Sequence, residues 1–294
     1  MGLDINGTRF LLYAKQLGVD YSRTAMIGRH GLHLKPFRLQ KNLIEFGYSC
    51  DGEAINRMYS ERNGFAEPFV QFLGAKDVHS FDYSGYEGAT HLHDMNQDIP
   101  DSFKGRYSAV LDGGSLEHVF NFPVAIKNCM EMLEVGGHYL GITPANNLMG
   151  EGFYQFSPEL YFSVFSEENG FELATMLIAE SSARAKWYSV KSPATVGRRV
   201  TLTNRVPTEL FVLAKKVASV TVFQSFPQQS DYVPKWKEAY AGVDKHFDVR
   251  KESRLRALIA RLIPESLKWG VERMRGYHSG FDPRFFQPLD HGGS

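Results

Sequence analysis

The chain of 294 residues is short of cysteine, of net charge and of long apolar runs, and each shortage removes a class of protein. Two cysteines, Cys50 and Cys129, cannot build a disulfide framework, and Cys129 falls within a predicted helix, so both read as reduced thiols of a cytoplasmic protein. Lysine plus arginine number 33 and so do aspartate plus glutamate, which leaves a formal charge of zero and no global electrostatic case for nucleic acid. No apolar run approaches the roughly 20 residues that span a bilayer, and no signal peptide is read at the start. Internal repeats, low-complexity tracts, a P-loop, a Ser-His-Asp order and Cys-rich metal spacing are all missing. What is there is an ordinary globular composition, 43% hydrophobic, long enough for two domains or for one α/β domain with insertions.

The stretch from 107 to 144, YSAVLDGGSLEHVFNFPVAIKNCMEMLEVGGHYLGITP, reads as strand, loop, helix, Gly-Gly turn and strand. Residues 107 to 111 form a short apolar run without alternation, as in a parallel strand covered on both faces, and the run ends at Asp112. Gly113 and Gly114 then stand at the strand's carboxyl end, where an open α/β sheet places its ligands and where glycine lets a bound molecule come close. Pro123 opens a helix whose Val124, Ala125, Met130, Met132 and Leu133 face the sheet. Gly136 and Gly137 stop it, and 138 to 143 give the next strand.

Around this unit, residues 8 to 17 are expected as a leading helix and 24 to 28 as a first strand. A second strand at 78 to 81 ends at Asp82, and a third at 90 to 93 ends at Asp94 and Met95. Residues 171 to 179 and 208 to 217 read as two later strands, and the segment between them, with Trp187 and Tyr188, as a flap over the acceptor side. Residues 32 to 76, helical near 39 to 46, 53 to 61 and 67 to 73, read as an insertion that can cover the ligand end. His91 and His93 would share a strand face. With no third ligand at a recognisable spacing, no metal site is expected.

The segments LDGGSLEHVFNFP, EVGGHYLGITP, FDYSGYEGAT and GFYQFSPEL make residues 22 to 217 resemble the class I S-adenosylmethionine-dependent methyltransferases, in particular a bacterial subgroup tied to small-molecule or glycan pathways. The resemblance implies an α/β, Rossmann-like, seven-stranded and mostly parallel sheet with helices on both faces, its antiparallel strand at 208 to 217 inserted beside the sixth. It implies S-adenosyl-L-methionine as cofactor. Gly28 would follow the first strand, and Asp82 would accept from the ribose hydroxyls. Tyr83, Asp94 and Met95 would meet the adenine, with Asp112, Gly113 and Gly114 at the methionine part. The loop AMIGRHGLHL departs from the family pattern: Met26 stands where an acid is expected, and His30 where a second glycine is normal. On the acceptor side the candidates are Asn146, Glu151, Tyr154 and Gln155. Glu117 and His118 are the candidate catalytic groups, His118 as the base for a hydroxyl acceptor because imidazole titrates near neutrality.

Residues 1 to 217 would then be a class I methyltransferase-like domain, and 218 to 294 a connector and basic helical C-terminal appendage. In the latter, Leu255, Leu258, Ile259, Leu262 and Ile263 form a stripe flanked by Arg250, Lys251, Arg254, Arg256 and Arg261. Two roles stay open for 250 to 276: docking on the domain or on a twin subunit in a homo-oligomer, and peripheral contact with an anionic membrane. The expected function is in-line methyl transfer to a small-molecule or glycan-type acceptor. The alternative is a methyltransferase-like domain without catalysis, serving as a binding or assembly module. A nicotinamide dehydrogenase is disfavoured by the missing GxGxxG.

Overall fold

The computed structural model describes residues 2–182, 185–230 and 280–289. The chain opens with β1 (Gly2–Leu3) and α1 (Ile5–Gln16), a helix capped by Asp4, whose carboxylate accepts from the Gly7 N–H at 2.7 Å. Then come β2 (Arg23–Ile27) and β3 (Gly31–Leu32), the latter paired with β1 in a small two-stranded sheet. The expected insertion forms α2 (Pro36–Glu45), α3 (Gly52–Ser60) and α4 (Glu67–Phe72). Next follow β4 (Asp77–Asp82), β5 (His91–Leu92), β6 (Tyr107–Gly113), α5 (Phe122–Met132) and β7 (Leu133–Asn146). The described chain continues through α6 (Pro158–Val164), β8 (Phe171–Glu180), β9 (Tyr188–Val190), α7 (Pro193–Val196), β10 (Thr208–Lys216) and β11 (Phe286–Pro288).

The large sheet runs β11-β9-β8-β10-β7-β6-β2-β4-β5. Neighbours from β7 through β5 pair in parallel, while β10 is antiparallel to both β7 and β8. Along β10, Leu210, Val212 and Ala214 join the core on one face of the sheet, and Phe211 and Leu213 the core on the other. Both faces are therefore apolar, the condition for helices on both sides. One core holds α5 and α6; the other holds α1 and the helices of residues 36 to 72. Lys216 joins sheet to helix, its buried ammonium donating to the Met130 and Leu133 carbonyls at 2.9 and 2.8 Å, groups that a helix end leaves without partners.

Four expectations are corrected. The sheet has nine strands among the described residues, not seven, because β9 and β11 add to the edge beyond β8. It is not complete at Val217, since Phe285 and Phe286 return from far along the sequence to bury their rings in the core of α5 and α6. The stretch around Trp187 is no flap: the Trp187 indole stacks on Phe211 at 5.4 Å inside the other core, and Tyr188 begins β9, a sheet strand held between β8 and β11. Gly136 and Gly137 do not stop the helix, which ends at Met132. Gly136, at φ 93°, sits in an irregularity of β7, and a Cβ on Gly137 would lie 3.0 Å from the Tyr107 and Glu134 carbonyls. The basic stretch at 250 to 276 lies outside the described residues. No helix among those described is long and apolar enough to cross a membrane.

Candidate functional site

The strand order reverses between β2 and β6: the chain goes from β2 outward to β4 and β5, then returns to β6 and goes outward to β7. A crevice must open at the carboxyl ends of strands that part in this way. It does, with a volume of about 260 Å³. Its walls are Ile27 and Gly28 after β2, Phe81, Asp82 and Tyr83 at the end of β4, His93 to Asn96 after β5, and Ser115, His118 and Val119 after β6. The Ser115 hydroxyl donates to the Ile27 carbonyl and so ties the two parting strands at the floor. The Asp82 carboxylate accepts from the Ser84 N–H at 3.2 Å, and Asp94 accepts from the Asn96 backbone and side chain at 2.9 and 2.7 Å, bonds that hold its pKa down. The loop from 83 to 89 is held by Arg29, which pairs with Glu67 at 2.6 Å, donates to the Glu87 carbonyl at 2.6 Å and lies over the Phe65 ring.

Six expected cofactor-side residues or catalytic candidates meet in this crevice: Gly28, Asp82, Tyr83, Asp94, Met95 and His118. Asp112 does not join them. It is fully buried, with Oδ1 accepting from the Ser115 and Leu116 N–H groups at 2.9 and 3.2 Å and Oδ2 from the Tyr139 hydroxyl at 3.1 Å. Burial raises its pKa to about 6. Gly113 does not present its open side to the crevice either, because the His30 ring fills it: a Cβ on Gly113 would lie 3.1 Å from that ring. Gly114 is at φ 83°, and a Cβ there would meet Glu117 Oε1 at 3.2 Å.

His30 is completely buried, and burial lowers its pKa to about 4, so the ring is neutral. Its Nε2 is 3.2 Å from the Gly113 N–H and 3.4 Å from the Leu111 carbonyl and cannot serve both. Nδ1 is buried without a partner. Glu117 is only 4% exposed, and its Oε2 has no partner either. Burial first, and then the charge of Asp112, raise its pKa to about 8.

On the far side of the turn at 116 to 118, the loop 147 to 155 packs down through a 2.7 Å bond from the Phe153 N–H to the Glu117 carbonyl. Of the expected acceptor residues, Glu151 is exposed on this loop and Tyr154 donates to the Phe120 carbonyl at 2.6 Å. Gln155 accepts from the Leu148 N–H at 2.8 Å, and Asn146 donates to Asn204 Oδ1 at 2.9 Å. Glu209 on β10, outside the expected set, is a further carboxylate with an unpartnered Oε2, its pKa raised to about 7 chiefly by burial. Nothing local in the sequence singles it out. The two spaced histidines part company: His91 packs among His79, Phe81 and Phe103, while His93 lines the crevice.

No protein-family model matches the chain, and no curated protein matches it either. Among solved structures, it is similar to the branched-chain polyamine synthase of Thermus thermophilus at 10% identity and a TM-score of 0.37, over 76% of this chain and 60% of that one. The chain thus spans less than two thirds of that protein. It is also similar to a putative methyltransferase from Bacillus halodurans, at 11% identity and a TM-score of 0.31 over 70% of this chain and 99% of the other. A third is the 1,6-didemethyltoxoflavin-N1-methyltransferase of Burkholderia thailandensis, at 12% identity and 0.37, over 73% and 78%. At TM-scores below 0.5 these likenesses decide nothing about this chain, whose own residues must carry any assignment.

Proposed function

We propose that the chain is an S-adenosylmethionine-dependent methyltransferase of the class I type, acting on a small molecule or glycan-type acceptor. The observation that carries this is the crevice at the strand-order reversal, with a carboxylate, Asp82, at the end of the strand next to β2. In that place Asp82 would accept from the two ribose hydroxyls of a nucleoside, with Phe81, Met95 and Val119 as apolar walls for the base and Asp94 and Asn96 at its polar edge. The bound cofactor would supply a sulfonium methyl group. What the chain itself contributes is position and exclusion of water, the main sources of rate when no covalent work is asked of the protein. His118, at the crevice rim, is the group placed to take a proton from an acceptor hydroxyl.

A second reading is favoured by His30. With its ring on Gly113, the side of the crevice meant for the methionine part is narrowed, which suits a methyltransferase-like module that binds without catalysing. Thermal melting with S-adenosylmethionine, S-adenosylhomocysteine and NAD tests both, since a ligand that binds only the folded chain raises its melting temperature. A shift with the two sulfur nucleosides and none with NAD is expected. A shift with none of the three removes the methyltransferase assignment.

A further inference from the structure

The ligand end of the sheet is only half open. Ile27 on β2 stands opposite Asp112 on β6 where those two strands part, and the space beyond that pair is taken by a side chain of the protein itself. Three atoms of the His30 ring, Cε1, Nδ1 and Nε2, lie 3.1, 3.2 and 3.2 Å from the place where a Cβ on Gly113 would stand. His30 and Gly113 are both buried. The backbone that carries the ring is fixed on either side: the Gly28 N–H donates to the Phe81 carbonyl at 2.7 Å, the His30 carbonyl accepts from the Ala66 N–H at 2.8 Å, and Gly31 and Leu32 pair with Gly2 and Leu3 of β1. At the end of a central strand in an open α/β sheet, a glycine lets a ligand come close. Here it admits an imidazole instead.

What stays open lies on the β4 and β5 side. The crevice is lined from the ends of β2 and β4, from the segment after β5 and from the turn after β6, and neither Asp112, Gly113 and Gly114 nor His30 is among its walls. Asp82, Asp94 and Asn96 supply polar partners for ribose and base, whereas no lysine or arginine is among the lining residues. The amino acid chain of a sulfur nucleoside brings a carboxylate and an ammonium, and each is favoured only where partners answer it. A 5′ phosphate meets the same lack of a cation.

We infer that His30 is a specificity-determining residue of the crevice: its ring holds the place at the β2–β6 junction that a methionine chain would take, so the site reads adenine and ribose and gains nothing from an amino acid chain on the 5′ sulfur. This rests on the nucleoside placement at Asp82 proposed above.

Calorimetric titration of the full chain with 5′-methylthioadenosine and S-adenosylhomocysteine reads the inference directly, since the two differ only in the group on sulfur, a methyl in one and the amino acid chain in the other. Wild type is expected to bind S-adenosylhomocysteine no more than about threefold more tightly than 5′-methylthioadenosine. His30→Gly, which empties the space over Gly113, should leave 5′-methylthioadenosine within about threefold of its wild-type affinity and strengthen S-adenosylhomocysteine by about tenfold, a change of ratio that a merely loosened fold does not produce. Where that variant does not fold, the wild-type comparison decides alone. A wild-type preference for S-adenosylhomocysteine above about threefold, or an unchanged ratio in folded His30→Gly, would overturn the inference and leave the proposed function standing. No heat from either nucleoside at millimolar concentration would overturn the proposed function, and the inference with it.

Discussion

Glu117 and His30 stand on either side of Gly113 and Gly114, and burial drives their pKa values in opposite directions. The Glu117 carboxyl has its pKa raised from 4.5 to about 8, so the folded chain holds that proton where the unfolded chain has lost it. Its contribution to stability is whole below about pH 4.5 and is lost as pH rises toward 8. His30 has its pKa lowered from 6.5 to about 4, so the unfolded chain takes up the proton first. Its contribution is whole above about pH 6.5 and is lost as pH falls toward 4. Melting temperature against pH should therefore fall off on both sides, and each limb has its own variant. Glu117→Gln should flatten the alkaline limb and melt higher than wild type at pH 8; His30→Gln should flatten the acid one. Parallel profiles for wild type and Glu117→Gln would show that the carboxyl is not buried as described. At this scale the sequence pointed to Asp82, Asp94, Met95 and His118, which the structure brings together as crevice lining, because segments that follow strands in an open α/β sheet meet at its carboxyl edge. It marked His30 as out of pattern but could not place its ring on Gly113, a contact made by residues 83 apart through the β2 and β6 register.

Among the elements, the turn at 116 to 118 and the loop over it are joined by backbone, so a small change there should be felt. Gly152 is at φ 72°, and a Cβ on it would come within 2.6 Å of the Glu117 carbonyl oxygen and 3.0 Å of His118 Nδ1. A left-handed backbone costs an L-residue roughly 1 to 2 kcal/mol before any clash, so Gly152→Ala should lower unfolding free energy by at least that much. Urea unfolding measures it, and an unchanged midpoint would mean that the loop does not rest on the turn. Strands and helices were legible from apolar runs and from prolines at helix starts. The end of α5 was not, because Gly-Gly is equally a helix stop and a strand irregularity. The parallel pairing of β6 with β7 decides between them.

For the molecule as a whole, the sequence suggested a domain ending near 217 and an appendage, since nothing in FDPRFFQPL announces an edge strand. Pairing of β11 with β9 needs the partner strand to be known first. Phe286 is 1% exposed in the main core, and truncating a buried phenylalanine typically costs roughly 3 to 5 kcal/mol. Phe286→Ala should lower the stability of the whole domain by about that amount in a single cooperative transition. A loss below about 1 kcal/mol would make the strand a loose addition. The strand-order reversal organises all of this around one crevice, and its occupant is the central claim. Calorimetric titration with S-adenosylhomocysteine is the most direct test. Losing a charged acceptor for ribose hydroxyls costs roughly 1.5 to 3 kcal/mol, or about ten- to a hundredfold in affinity. Saturable heat from wild type, weakened by that factor in Asp82→Ala, is the predicted result; no heat from wild type at millimolar ligand, or equal affinity in the variant, would contradict it.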